Sequence, residues 1–174
     1  KMKIEEQKKA IEEQRDELKV RNSEILQQKE EIEAQRDEIV AQRDQIISQN
    51  KDIIKSISYA RRIQTAVMPG KEKADKILGD YFILLKPRDI VSGDFYWMAK
   101  KSNKIVVIAA DCTGHGVPGA FMSLLGITLL DEVVNSISDI MPHLILNNLR
   151  AYLKRALSQV GKEHEAKDGM DVAL

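Results

Sequence analysis

The sequence predicts an α+β protein: a long N-terminal parallel coiled-coil helix, followed by a globular part that mixes antiparallel strands with helices. Three observations carry this. An isoleucine or leucine recurs every seven residues from Ile4 to Ile53. All nine glycines and all four prolines fall after residue 68. Beyond that residue, apolar runs of strand length alternate with turn residues and then give way to two stretches with helical spacing.

Composition narrows the partners. The 27 Lys and Arg balance 27 Asp and Glu, so no cluster of positive charge favours nucleic acid, whose phosphate backbone is bound through Lys and Arg. The single cysteine, Cys112, cannot form an internal disulfide and fits a reducing, cytoplasmic setting. No apolar run approaches the roughly 18–20 residues that cross a bilayer, and the charged start has no signal-peptide core. No membrane segment is expected.

Residues 1–56 form the rod. Ile4, Ile11, Leu18, Ile25, Ile32, Ile39, Ile46 and Ile53 occupy one heptad position, and Gln7, Gln14, Arg21, Gln28, Gln35, Gln42, Gln49 and Ser56 follow each by three. A strict seven-residue repeat keeps its seam in line only by left-handed supercoiling. At 1.5 Å per residue the rod is about 80 Å long. Isoleucine at the a position favours two parallel strands, hence a homodimer. Polar d residues forgo much apolar burial, which leaves two uses open. The seam can hold two registers close in free energy, as a signalling linker needs, or it is a passive dimerising spacer. A lone charged helix fits eight unbroken heptads less well.

Residues 57–69 read as a junction. Ile53, Ile54, Ile57, Ala60, Ile63, Gln64 and Val67 broaden the apolar face until it suits packing on a globular body, and Pro69-Gly70 ends the helix. In residues 70–174, Tyr81–Lys86 is expected as a short strand, Asp94–Ala99 as a second and Lys104–Ala110 as a buried third. Lys101-Ser102-Asn103 is the hairpin between the last two. Gly114–Pro118 is a turn before a helix over Gly119–Asn135. Pro142 opens another helix ending near Val160, Gly161–Asp168 is a polar loop, and Met170–Leu174 begins a strand. Phe121, Met68 and Met122 are expected in the core, and His143 and His164 on the surface.

Two carboxylates stand out. Asp94 opens the strand of Val-Ser-Gly-Asp-Phe-Tyr-Trp, and Asp111 closes the next one in Ala-Ala-Asp-Cys-Thr-Gly-His-Gly. If the strands pair as a hairpin, the two side chains face one another, and like charges that close call for a cation. Mg²⁺ or Mn²⁺ suits a site of carboxylate and carbonyl oxygens. The glycines after Asp111 let the backbone turn and present its groups to an ion or a phosphate. The competing reading is that both aspartates cap turns. Gly114, His115 and Gly116 are candidate phosphate or turn contacts. Cys112 has no basic partner and reads as structural. Gly114-His-Gly116-Val-Pro-Gly119 also spells the dinucleotide fingerprint, but no second parallel strand ending in an acidic residue follows.

Four segments taken together resemble a known family: Tyr59-Ala-Arg-Arg-Ile-Gln-Thr-Ala-Val-Met-Pro69, Pro87-Arg-Asp-Ile-Val-Ser-Gly-Asp-Phe-Tyr-Trp97, Asp111-Cys-Thr-Gly-His-Gly-Val-Pro-Gly-Ala120 and Asp168-Gly-Met-Asp171. They resemble the stage II sporulation E-type (SpoIIE, RsbU-like) serine/threonine phosphatases of the metal-dependent PPM (type 2C) superfamily. The resemblance covers about residues 57–174, and the heptad rod is similar to the linkers that join sensor domains to such enzymes. It implies an α/β sandwich of two antiparallel sheets flanked by helices, with a binuclear Mn²⁺ or Mg²⁺ centre between them. By position, Asp94 matches the first metal carboxylate, Asp111 the bridging one, and Cys112 the residue whose backbone carbonyl is a ligand. The implied reaction is attack of a metal-activated water on phosphoserine or phosphothreonine, with no catalytic side chain beyond that water. Implied partners are a phosphoprotein of the anti-sigma-factor-antagonist type and an upstream sensor domain. The family's later metal aspartates lie further along than Leu174, so residues 70–174 are expected to be the N-terminal part of the domain. Asp168 and Asp171 are not matched to ligands.

Two functions follow: a phosphatase of a bacterial signalling pathway regulated through its dimeric linker, or a catalytically silent dimeric scaffold of the same fold.

Overall fold

The computed structural model describes residues 2–159 and 168–174. They form α1 (Met2–Val67), α2 (Lys71–Leu78), β1 (Phe95–Lys101), β2 (Lys104–Cys112), α3 (Gly116–Ser136), α4 (Pro142–Ala156) and β3 (Met170–Ala173). The chain divides into two compact units, Lys1–Asp52 and Ile53–Leu174. The expected junction at 57–69 therefore counts with the body.

α1 is helical across the first unit and on into the second, and all eight heptad residues, seven in the first unit and Ile53 at the start of the second, are more than half exposed in the single chain. Its polar faces carry local pairs such as Asp16–Lys19 at 2.9 Å and Lys29–Glu33 at 3.9 Å. Exposed pairs of this kind contribute a few tenths of a kcal/mol, far less than an apolar seam on meeting a partner. The helix stops at Val67 because Met68 precedes Pro69, and a residue before proline is pushed out of the helical region.

The body is built on one antiparallel sheet in the order β1-β2-β3. β1 and β2 form the expected hairpin, pairing Phe95 with Ala110 and Lys101 with Lys104, with Ser102 in the left-handed region at the turn. One sheet face packs on α3 and α4, where Phe95, Trp97, Ile108, Leu130, Val133 and Ile145 make the dry centre. Lys101 Nζ donates to the carbonyls of Val134, Asn135 and Ile137 at 2.7, 3.0 and 2.5 Å, satisfying acceptors that the end of α3 leaves open.

Several expectations change. Tyr81–Lys86 forms no regular element and pairs with no strand among the described residues; Phe82 is 90% and Leu84 72% exposed. Its apolar run satisfied the pattern for a strand without a neighbouring edge to bond. β2 is buried on one face only, since Ile105 and Val107 alternate outward with buried Val106 and Ile108. The short helix α2 was not expected; it ends at Gly79, whose φ of +73° closes it. α3 starts at Gly116 rather than Gly119, and α4 ends at Ala156 rather than near Val160. Phe121 is 68% exposed because α3 turns its other face to the core. α3 is also long and apolar enough to cross a membrane by composition alone, contrary to the sequence reading. Its buried face against the sheet and α4 accounts for that composition. His164 and most of the expected 161–168 loop lie outside the described residues.

Candidate metal centre

The hairpin register brings the two aspartates together. Phe95 pairs with Ala110, so the next step outward sets Asp94 opposite Asp111. Burial, a hydrogen bond with the Asp111 carboxyl and the Asp111 charge raise the Asp94 pKa above the ordinary carboxylate range. β2 then pairs with β3 so that Asp111 faces Asp171 and Cys112 faces Met170. All three aspartates line one end of a cleft of about 880 Å³. The sheet's open face and the segment 80–86 form its walls. Among the described residues, no group of three or more His, Cys, Asp or Glu side chains closes to metal-binding geometry.

Backbone packing holds the carboxylates in place. A Cβ on Gly93 would lie 2.8 Å from the Gly114 carbonyl oxygen and 3.3 Å from that of Cys112; on Gly119 it would lie 2.5 Å from the former and 3.1 Å from the Gly93 Cα. Only hydrogen fits where these three backbone stretches touch. Gly114 and Gly116 have φ of +87° and +63°, so both glycines are required by the turn itself. Thr113 ties the turn to β3: its N–H and hydroxyl both donate to the Gly169 carbonyl, at 2.9 and 3.2 Å.

The remaining candidates fall as follows. The Cys112 thiol is buried, and burial with the charges of Asp111 and Asp94 pushes its pKa up to about 12, which suits a structural thiol. Its carbonyl oxygen lies against Gly93. His115 caps α3 and bonds Asp89 through Nδ1 at 2.9 Å. His115 therefore makes a turn contact, to a side chain from the 87–93 segment. Among the described residues no parallel strand follows the glycine turn, and the antiparallel sheet lacks the parallel pairing a dinucleotide fold needs. The Asp111–Asp171 register has no local signature in the sequence, and the spacing of Gln64 places it on an apolar face. In fact Gln64 is buried and bonded to Ser92. A glutamine amid the isoleucines of a docking face was the available signal.

Comparison with known proteins gives a consistent picture. No family model matches the chain, and no curated protein matches it. Among solved structures it is similar to the SiaA-PP2C domain of Pseudomonas aeruginosa, at 34% identity and a TM-score of 0.61, over 71% of this chain and 48% of that one. The body has a PP2C-type (PPM) fold. The chain spans about half the length of that domain structure. Within the PP2C-type fold, the pair Asp94 and Asp111 with nearby backbone carbonyls is a set of hard oxygen donors. That chemistry fits Mg²⁺ or Mn²⁺, and the mutual repulsion of the carboxylates is what such an ion would relieve.

Proposed function

We propose that this chain is part of a metal-dependent serine/threonine phosphoprotein phosphatase of a bacterial, cytoplasmic signalling pathway, regulated through a dimeric coiled-coil linker. The observation that carries it is the meeting of Asp94 and Asp111 across the β1–β2 hairpin of a PP2C-type fold. Asp94 and Asp111 would hold the ion, with the Cys112 carbonyl as a further donor and a binuclear centre in the complete domain. Bound divalent ions would supply Lewis-acid activation of water and a clamp on the phosphoryl oxygens. The chain's own residues set the donors: the glycine contacts fix the loops, and the β2–β3 ladder holds Asp111. Substrate is a phosphoserine or phosphothreonine protein, of the anti-sigma-factor-antagonist type by family resemblance. The exposed isoleucine seam supports a homodimer, and an upstream sensor would act through it.

The test is manganese uptake by the chain, measured calorimetrically, together with manganese-dependent release of phosphate from a phosphoserine peptide by the full-length protein. Both are expected to disappear in Asp111→Asn. Unchanged turnover in that variant overturns the proposal. A second reading, a catalytically silent dimeric scaffold, is favoured by the absence of a three-ligand cluster among the described residues; a dimer that takes up no manganese would establish it.

A further inference from the structure

The rod repeats its flanking charges as faithfully as its isoleucines. With Ile4 to Ile53 at position a and the glutamines at d, position e carries Lys8, Arg15, Lys29, Arg36 and Arg43 and no acid. Position g carries Glu17, Glu24, Glu31, Glu38 and Asp52 and no base. The two rows border the seam on opposite sides, and all of these residues are exposed in the single copy. On one helix an e residue lies two places before the following g, a spacing at which side chains do not face each other. Ion pairs within α1 join other positions, Lys29 with Glu33 at 3.9 Å and Arg43 with Asp44 at 2.8 Å, and such exposed pairs contribute little.

Across a parallel seam each g residue meets an e residue of the other helix, in the next heptad along. Glu24 of one copy then meets Lys29 of the other, Glu31 meets Arg36, and Glu38 meets Arg43. The pairs on either side, Glu17 with Asn22 and Gln45 with Asn50, lack one or both charges, so the matched stretch is 24–43. A reversed partner brings e to e and g to g instead. Bases then face bases and acids face acids, which repel. The seam agrees with the flanks. Parallel packing sets d against d, where two glutamine carboxamides donate to and accept from one another. Reversed packing sets each carboxamide against isoleucine, with its polar atoms unpaired. We infer that the e and g rows are a self-recognition code. Glu24, Glu31 and Glu38 select Lys29, Arg36 and Arg43 on a second copy of this chain, and they hold that copy parallel. This rests on the homodimer reading above and adds to it the choice of partner and its direction. An isoleucine seam alone accepts any apolar heptad, and the charged flanks narrow that choice.

Charge reversal in the full chain tests it. One triple variant is Glu24→Lys with Glu31→Lys and Glu38→Lys; the other is Lys29→Glu with Arg36→Glu and Arg43→Glu. In sedimentation equilibrium at about 50 mM salt, each alone should dimerise with a dissociation constant about tenfold or more above wild type. Mixed in equal amounts they restore every attractive pair, and should form a heterodimer within about threefold of the wild-type constant. At about 1 M salt the gap between each variant and wild type should close to about threefold, because exposed charges are screened. Direction is read separately. Gln7→Cys should give, on oxidation with glutathione, a disulfide between the two copies at position 7, absent from wild type, whose one thiol is the buried Cys112. A reversed partner would hold the second thiol about 60 Å away. A wild-type dimer whose constant neither triple variant changes, a mixture that associates no better than its parts, or a dimer without the link at position 7 overturns the inference. A wild-type chain that stays monomeric at tens of micromolar overturns the homodimer reading and the inference with it.

Discussion

The two units of this chain solve the burial problem in opposite ways. In Lys1–Asp52 every described side chain is exposed, and the heptad isoleucines find no cover within one copy. In Ile53–Leu174 the apolar residues close on one another, with Trp97, Leu130 and Ile145 removed from water inside the same copy. A periodic segment announces its local structure in sequence but leaves its stability to another molecule. The body hides its pattern in short runs, yet completes a core on its own.

That contrast can be broken most directly at its two centres. Leu130→Ala empties a wholly buried position and should destabilise the body by about 2–5 kcal/mol, seen as a lower thermal midpoint. Ile32→Asn with Ile39→Asn should instead weaken the proposed homodimer, seen as a lower mass in sedimentation, while the midpoint of the body stays put. A body that melts earlier with the rod variant would erase the distinction. Backbone crowding gives the next largest effect. Gly119→Ala forces a Cβ to 2.5 Å from the Gly114 carbonyl oxygen and should cost about 1–3 kcal/mol, as overpacking does. Gly70→Ala meets nothing within 4 Å and should stay within about 0.5 kcal/mol of wild type in denaturant titrations.

Smaller effects sharpen the picture near the carboxylates. Because burial and Asp111 raise the Asp94 pKa, the folded protein holds that proton more tightly than the unfolded chain does. In metal-free protein this contribution to stability is fully present below the ordinary aspartate range and is lost as pH rises through the higher folded value. Asp94→Asn should flatten that part of the profile of thermal midpoint against pH in chelator. Cys112, with its pKa pushed up to about 12, should resist alkylation at pH 8 until denaturant is added.

The rod was legible because one interaction repeats eight times, and the hairpin because Lys101-Ser102-Asn103 divides two β-rich runs at the right spacing. Meeting of Asp94 and Asp111 followed from that hairpin, since antiparallel pairing joins the start of one strand to the end of the next. The strand expected over Tyr81–Lys86 failed because propensity cannot supply a bonding edge, and Phe121 because one wrong phase on α3 turns a side chain to water. The opposition of Asp111 and Asp171 depends on β2–β3 pairing across 58 residues of sequence separation at Cys112 and Met170; no local pattern sets that register. The bonds of Gln64 reach 28 and 59 residues along the chain and were equally invisible.

Trp97, the only indole in the chain, sits in the hairpin core with Nε1 donating to Asp131 at 3.0 Å. Excitation at its absorption edge therefore illuminates the body while the rod stays dark. Circular dichroism is weighted instead toward the 66 residues of α1. Recorded together, the two signals would follow the melting of stalk and body separately in an unlabelled sample.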